Sequence, residues 1–190
     1  HELSETDLGS HAYTDSYDLA GHLVSRAGGG AETNYGWLNT GLLDWADAGT
    51  LAGSTFTEVT RATYGYDKLG EKLTEKTTKS GTLIENATAA YNAAGWMTSW
   101  SEAGNATAPA ASITYKYDAN GNIRESASSY RVLDDDGAAS GTGTTQDYWF
   151  RYDAMNRVVT DKGSLSGTTI YLGWNGTDYL YDAAGERVQA

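Results

Sequence analysis

Six times along this chain an aspartate or asparagine follows directly on a tyrosine, and a recurring carboxylate beside a phenol is a pattern that could serve acid–base chemistry. The copies are Tyr17-Asp18-Leu19-Ala20-Gly21, Tyr66-Asp67-Lys68-Leu69-Gly70, Tyr91-Asn92-Ala93-Ala94-Gly95, Tyr117-Asp118-Ala119-Asn120-Gly121, Tyr152-Asp153-Ala154-Met155-Asn156 and Tyr181-Asp182-Ala183-Ala184-Gly185. Trp37-Leu38-Asn39-Thr40-Gly41-Leu42 is a weaker seventh copy. The swaps decide between chemistry and backbone. Asn92 stands where the others have Asp, and an amide cannot act as a general base. Asn serves as well as Asp in starting a turn, by accepting a hydrogen bond from the backbone two residues on. Asn156 stands where the others have Gly, and Asn is among the few residues that tolerate positive φ cheaply. Both swaps are those a turn permits, so the motif reads as turn chemistry.

Other candidate chemistry is sparse. His1, His11 and His22 are isolated, without a second ligand at metal spacing. Asp134-Asp135-Asp136-Gly137 has contiguous carboxylates, whereas a calcium loop places ligands on alternate residues and ends on a bidentate Glu. No serine sits in a Gly-x-Ser-x-Gly elbow, and no glycine-rich phosphate loop opens a helix. With no cysteine there is neither a disulfide nor a thiolate metal site. The expectation is no catalytic residue, no metal, no cofactor and no enzyme activity. Asn86-Ala87-Thr88, Asn105-Ala106-Thr107 and Asn175-Gly176-Thr177 are glycosylation sequons of the kind a Thr-rich chain produces by chance. Trp96 and Trp100 are four apart, which places them on one face of a strand, where aromatic rings can stack on sugars.

The elements that carry the motif follow from its flanks. Tyr64-Gly65-Tyr66, Tyr115-Lys116-Tyr117, Phe150-Arg151-Tyr152 and Tyr179-Leu180-Tyr181 place aromatics two apart, on one face of a strand. Leu23, Leu73, Ile123 and Val158 open the strands that return. Each copy is therefore a strand, an Asx-started type I turn closed by a left-handed residue with a bulge, and a second strand. Successive copies are 20, 29, 25, 26, 35 and 29 residues apart, a period typical of repeat architectures whose units need their neighbours. Equivalent tyrosines would recur about every 10 Å along the sheet, with their hydroxyls at a wet edge. Further turns are expected at Lys79-Ser80-Gly81, Asp161-Lys162-Gly163 and Asn175-Gly176.

Twenty-three glycines against one proline, with 14 tyrosines and 6 tryptophans among 190 residues, favour a turn-rich β protein with a thin core. The expected fold is all-β: stacked antiparallel hairpin repeats in a curved, spiralling sheet. Residues 1–12 read as an irregular lead-in and 13–190 as the repeat sheet, with long loops near 27–34, 102–112 and 134–145. Thirteen basic against 25 acidic residues leave a net charge of −12, which repels nucleic acid. No apolar run is long enough to insert in a membrane. The chain begins without Met and reads as an excised or processed segment.

The xYxYDxxGxL pattern between glycine-rich turns resembles the RHS/YD-repeat family from Tyr17 to Val188. That resemblance implies a β-ribbon wound into a hollow shell. In Rhs polymorphic toxins and in the B/C components of insecticidal Tc toxin complexes, such a shell encloses a toxic C-terminal polypeptide. It further implies a secreted or cell-surface bacterial protein, partnered by the rest of a larger RHS polypeptide or its toxin cargo. The family's Arg-Tyr-Tyr-Asp-Pro closing block, with its cleavage-linked aspartates, is missing, and family shells usually need several times this length. Neither self-cleavage nor a particular cargo is therefore carried over. Two alternatives stand beside the shell wall: a carbohydrate-binding or adhesive module using Trp96 and Trp100, and a subunit that self-associates through its sheet edges into oligomers or fibres.

Overall fold

Strand-forming residues broken at short intervals by turn residues produce seventeen strands and, among the described residues, no helix. The computed structural model describes residues 2–6, 12–104, 109–131 and 143–189. The strands are β1 (Glu2–Thr6), β2 (Ala12–Tyr17), β3 (Leu23–Gly28), β4 (Ala31–Trp37), β5 (Leu43–Ala52), β6 (Thr55–Tyr66), β7 (Lys72–Lys79), β8 (Thr82–Tyr91) and β9 (Met97–Glu102). They continue as β10 (Ala111–Tyr117), β11 (Ile123–Tyr130), β12 (Thr144–Tyr152), β13 (Val158–Ser166), β14 (Thr169–Tyr171), β15 (Thr177–Asp178), β16 (Leu180–Tyr181) and β17 (Arg187–Gln189). The fold is all-β and antiparallel, as the motif flanks required.

The chain forms two compact units, one of residues 1–88 with 103–105, the other of 89–102 with 106–190. In the first, β1 to β8 lie in sequence order, each antiparallel to the next. In the second, β9 to β14 do the same, β15 pairs with β13, and β16–β17 form a separate hairpin. The alternation is plain in β10, where Ile113, Tyr115 and Tyr117 are half-buried and Ser112, Thr114 and Lys116 exposed.

Little apolar surface is fully buried: Ala87 and Ile170 alone meet that description among the described residues. The buried polar residues are Asp15, Asp47, Glu125 and Thr160, and all four anchor pairs of side chains directly opposite each other, Glu125 with the ammonium of Lys116. Asp15 faces Arg26, which donates from Nε and an Nη at 2.7 Å each. That guanidinium holds the Asp15 carboxyl below the usual range. Asp47 accepts from Asn34 on one side and Arg61 on the other, both at 3.1 Å. Thr160 accepts from Arg151 at 2.8 Å and donates to Asp178 at 2.6 Å. Polar cross-strand contacts thus carry much of the pairing specificity that a thick core would supply elsewhere.

Four expectations change. The lead-in is not wholly irregular, because Glu2–Thr6 form β1 and pair with β2 from Glu2↔Ser16 to Thr6↔Ala12. The loop expected at 27–34 is a two-residue hairpin turn: Gly29 and Gly30 take φ of 60° and 80°, and Gly28 pairs with Ala31. Asp161-Lys162-Gly163 is no hairpin turn either. It lies inside β13, where Lys162 at φ 45° shifts the register against β12. The turn at Asn175-Gly176 joins β14 to β15, which both pair with β13 and not with each other. Lys79-Ser80-Gly81 does turn, between β7 and β8. Of the other two loops, Ala103, Gly104 and Pro109, Ala110 connect β9 to β10. Residues 105–108 and 132–142, with His1, His11, Asn105 and Asp134 to Asp136, lie outside the described residues.

Candidate functional site

The repeat turn is one unit of backbone chemistry. At Tyr17-Asp18, the Asp18 N–H donates to the His22 carbonyl at 3.0 Å and the Gly21 N–H to the Asp18 carbonyl at 3.2 Å. Asp18 Oδ1 accepts from the N–H groups of Ala20 and His22 at 2.9 and 2.8 Å. The same two side-chain bonds recur at Asp67, Asn92, Asp118 and Asp153. Asp182 takes the second of them, from Glu186. Asn92 accepts at 2.9 and 3.0 Å, indistinguishable from its Asp counterparts. The weak copy belongs to the set: Leu38 keeps both backbone bonds at 2.9 Å with no side-chain oxygen to help. The closing residue has positive φ throughout, 89° at Gly21 and 60° at Asn156.

Asp18, Asp67, Asp118 and Asp153 are weak bases, held ionised by the bonds they accept. The N–H groups of His22, Glu71 and Arg157 lead in holding Asp18, Asp67 and Asp153 below the usual range, and the Asn122 side chain leads at Asp118. A carboxyl tuned for proton transfer near neutrality would be shifted the other way. Among the described residues no three His, Asp or Glu side chains converge as metal ligands.

Beyond six of the seven turns one extra residue is inserted in the returning strand. Tyr17 faces Leu23 while Ser16 faces Ser25, so Val24 is the bulge. Asp44, Leu73, Arg124, Val159 and Val188 are the bulges of the later hairpins. At five links the aromatic that opens the next repeat hydrogen-bonds to the residue six after the preceding motif aromatic. In the first unit Trp37 Nε1 donates to the Leu23 carbonyl at 2.8 Å and the Tyr66 hydroxyl to that of Leu43 at 2.9 Å. In the second, Tyr117 donates to Met97 at 2.6 Å, Tyr152 to Ile123 at 2.8 Å and Tyr181 to Val158 at 2.8 Å. The hydroxyls therefore do not sit at a wet edge. Desolvation raises the pKa of both Tyr117 and Tyr152.

At four links a second contact runs beside this ladder, from the residue five after the motif aromatic. His22 stacks on Trp37 with centroids 4.9 Å apart and planes at 19°, and its Nδ1 lies 3.0 Å from Asp18. Trp96 packs on Tyr117 at 5.2 Å, and the Arg157 guanidinium lies 4.2 Å over Tyr181. Asn122 and Asn120 both donate to Asn156 Oδ1, at 3.1 and 3.0 Å. At these four links a repeat is thus completed by its successor through one backbone acceptor and one variable side chain.

The two tryptophans considered as a stacking platform are placed differently from expectation. Trp96 closes the turn begun at Asn92, ahead of β9, and its ring covers Gly121, where an added Cβ would lie 2.7 Å away. Trp100 lies within β9 opposite Ile113. A concave aromatic surface does exist in the second unit, on other residues: Tyr115, Phe150, Tyr152, Tyr179 and Tyr181 line a groove of about 490 Å³ with Asp161 and Arg187 at its polar points.

No family model matches the sequence, and no curated protein does. Solved structures do match. One, TcdB2-TccC3-TEV, aligns over 96% of this chain with a TM-score of 0.50 and 12% identity. The likeness is one of fold. This chain spans 14% of the TcdB2-TccC3-TEV chain. A porin-like protein from Bacteroides uniformis aligns over 76% of this chain and 72% of its own, with a TM-score of 0.45 and 11% identity.

Proposed function

We propose that this chain is a non-enzymatic wall segment of an RHS-type β-shell, part of a secreted or cell-surface bacterial protein that encapsulates a toxin or other cargo. The observation that carries the reading is the aromatic-to-carbonyl ladder: five repeats are tied to their predecessors by the same bond, to the residue six after the preceding motif aromatic. Such a device holds successive hairpins in fixed register and uses its polar atoms in doing so, leaving none free for catalysis. The fold likeness to TcdB2-TccC3-TEV over nearly the whole chain supports the same reading. Encapsulation would act by exclusion, a continuous wall of paired strands separating its contents from solvent and proteases.

Reading the gene on both sides of this segment, and imaging the purified natural polypeptide by electron cryo-microscopy, tests the proposal. Further Tyr-Asp repeats and a hollow chamber are expected; a reading frame without further repeats would overturn it.

Carbohydrate binding is the second reading, and the groove of the second unit favours it more than the tryptophans do. Tyr152 and Tyr181 bond backbone carbonyls and Tyr179 bonds Asp161 at 2.6 Å, so the groove presents ring surfaces with few free hydroxyls. A glycan array decides it: binding lost in Phe150→Ala supports the reading, and an array without binders ends it.

A further inference from the structure

We propose that a polar pocket in the second unit is a binding site for an acidic sugar, a uronic acid whose carboxylate meets Arg124 and Arg151. The pocket holds about 450 Å³, room for a small organic ligand and far more than a bare ion needs. Its lining collects the places where this part of the chain departs from its own repeat. Arg124 is the bulge residue of its hairpin, where the other bulges carry Val24, Asp44, Leu73, Val159 and Val188. Asn120 stands where the other Tyr-Asp and Tyr-Asn copies have Ala, Leu or Met, and Asn156 where they have Gly. Thr168 and Thr169 come from the tip of the β13–β14 hairpin. Buried Ile170 seats that tip on Gly163, where an added Cβ would meet its Cγ2 at 2.7 Å. All five side chains line the one pocket. Turn and bulge geometry is met elsewhere in the chain without them.

The open hydrogen-bonding groups are mostly donors. Among the described residues no ion pair or hydrogen bond reaches the exposed Arg124, so its N–H groups are open. Arg151 donates from Nε to Thr160 at 2.8 Å, and an Nη lies 3.7 Å from Asp178, beyond hydrogen-bond reach. Asn156 Oδ1 accepts from both Asn120 and Asn122, so the Nδ2 end of that amide is the one left to donate. Two guanidinium forks beside an amide donor suit a planar carboxylate. Two carboxylates also line the pocket, and both are largely satisfied: Asp118 by Asn120 and Asn122, Asp153 by Met155 and Arg157. They set two further conditions. A second negative charge on the ligand would be repelled, which disfavours a phosphate ester. The lone pairs they keep, with the two threonine hydroxyls, call for hydroxyl groups on the ligand. One carboxylate on a polyhydroxylated ring meets every condition. The site is separate from the aromatic groove, whose lining includes none of Asn120, Arg124, Asn156 and Thr169. It does not rest on the wall reading.

The test titrates the full chain with glucuronate, glucose and inorganic phosphate, and follows the NMR signals of Arg124 Nε–H and of the Asn120 and Asn156 side-chain amides. Saturable shifts are expected with glucuronate and not with the other two. Arg124→Gln removes the charge from an exposed side chain and should weaken glucuronate binding about tenfold or more, with the Tm unchanged. Arg124→Lys keeps the charge, loses the fork and should fall between. Asn156→Gly keeps the left-handed turn and removes the amide donor, so it should weaken binding about threefold. Glucose binding as tightly as glucuronate would overturn the proposal, since no anion would then be read. Phosphate moving the same signals equally would make the pocket a bare-anion site, and the sugar assignment fails. Shifts confined to Tyr115 and Tyr179 would put the sugar in the groove instead. Parent-like binding in both Arg124→Gln and Asn156→Gly, or no saturable shift at all, ends the proposal. None of these results touches the wall reading, which the reading frame and the imaging decide.

Discussion

The Tyr152 hydroxyl donates at 2.8 Å to the backbone carbonyl of Ile123, 29 residues earlier in the chain. Ile123 itself faces Tyr117, the aromatic of the preceding repeat, across a bulge. One carbonyl thus joins two motif aromatics that do not touch, one facing it across the turn and one bonding it from the next hairpin. Repetition of that relationship converts a local turn motif into long-range order. The motif is consequently a connector as well as a turn: its Asp or Asn shapes the bulge, and its aromatic reads the bulge of the repeat before.

Tyr152→Phe isolates the connector. The ring remains, one hydrogen bond is lost and a part-buried carbonyl loses its partner, which costs about 1–2 kcal/mol. A Tm lower by about 2–6 °C is expected in thermal melts. Tyr152→Ala removes the ring as well and should cost more. A phenylalanine variant as stable as the parent in both heat and urea would sink the ladder as a source of stability.

Asp118 tests the turn. Its Oδ1 holds two backbone N–H groups at 2.9 Å, the bonds that Asn92 makes at 2.9 and 3.0 Å in its own repeat. Asp118→Asn keeps those two bonds and loses only the one that Asp118 Oδ2 accepts from the Asn122 side chain, so at neutral pH it should cost less than Asp118→Ala, which should lower the Tm by about 2–4 °C. Equal loss in both variants would mean that charge, not turn geometry, is what the position needs.

Acid should weaken the fold through the same residues. Asp18, Asp67, Asp118 and Asp153 have folded pKa values lowered from 3.8, so their contribution is complete above the unfolded value and disappears as pH falls through the folded ones. Glu71 runs the opposite way: desolvation raises its pKa, and protonation relieves part of that penalty. With Asp15, which its Arg26 partner also lowers, five aspartates against one glutamate set the sign. Urea midpoints should hold steady from pH 7 to about 5 and fall below about 4. Replacing the four turn aspartates by asparagine should flatten that acid limb, and an unchanged limb would place the acid sensitivity elsewhere.

How much of this was legible in the sequence follows from where the information sits. The turn was readable because its constraints fall on side chains: Asn92 for Asp and Asn156 for Gly are swaps that only geometry explains. The ladder was not, because its acceptor is a backbone carbonyl, which any residue supplies. Leu23, Leu43, Met97, Ile123 and Val158 share a place and no signature beyond being apolar. Gly29-Gly30 is a visible turn signal, but the run Ala27-Gly28-Gly29-Gly30 has the composition of a loop, and nothing in it marks the strand that starts at Ala31. The four-residue spacing of Trp96 and Trp100 implied a shared strand face only if both lay in the strand, and Trp96 closes the turn before β9 begins. Lys162, a poor candidate for positive φ, gives no sequence warning of the bulge inside β13.

Asn156 separates the two duties of the motif's closing position. At φ 60° it occupies the left-handed region, and its Oδ1 accepts from Asn120 at 3.0 Å and Asn122 at 3.1 Å in the preceding repeat. Asn156→Gly keeps the backbone conformation and deletes the clamp, so it should change stability by no more than about 1 kcal/mol. Asn156→Val also forces a β-branched residue to positive φ, a strain of about 1–3 kcal/mol that has no outlet in a turn held by Asp153 and Arg157. The expected order of Tm is parent, then glycine, then valine well below. NMR adds a direct check, since the side-chain amides of Asn120 and Asn122 should both move in the glycine variant. A valine variant as stable as the glycine one would show that the turn relaxes out of the left-handed region, and that closure there is not what sets the register of β12 and β13.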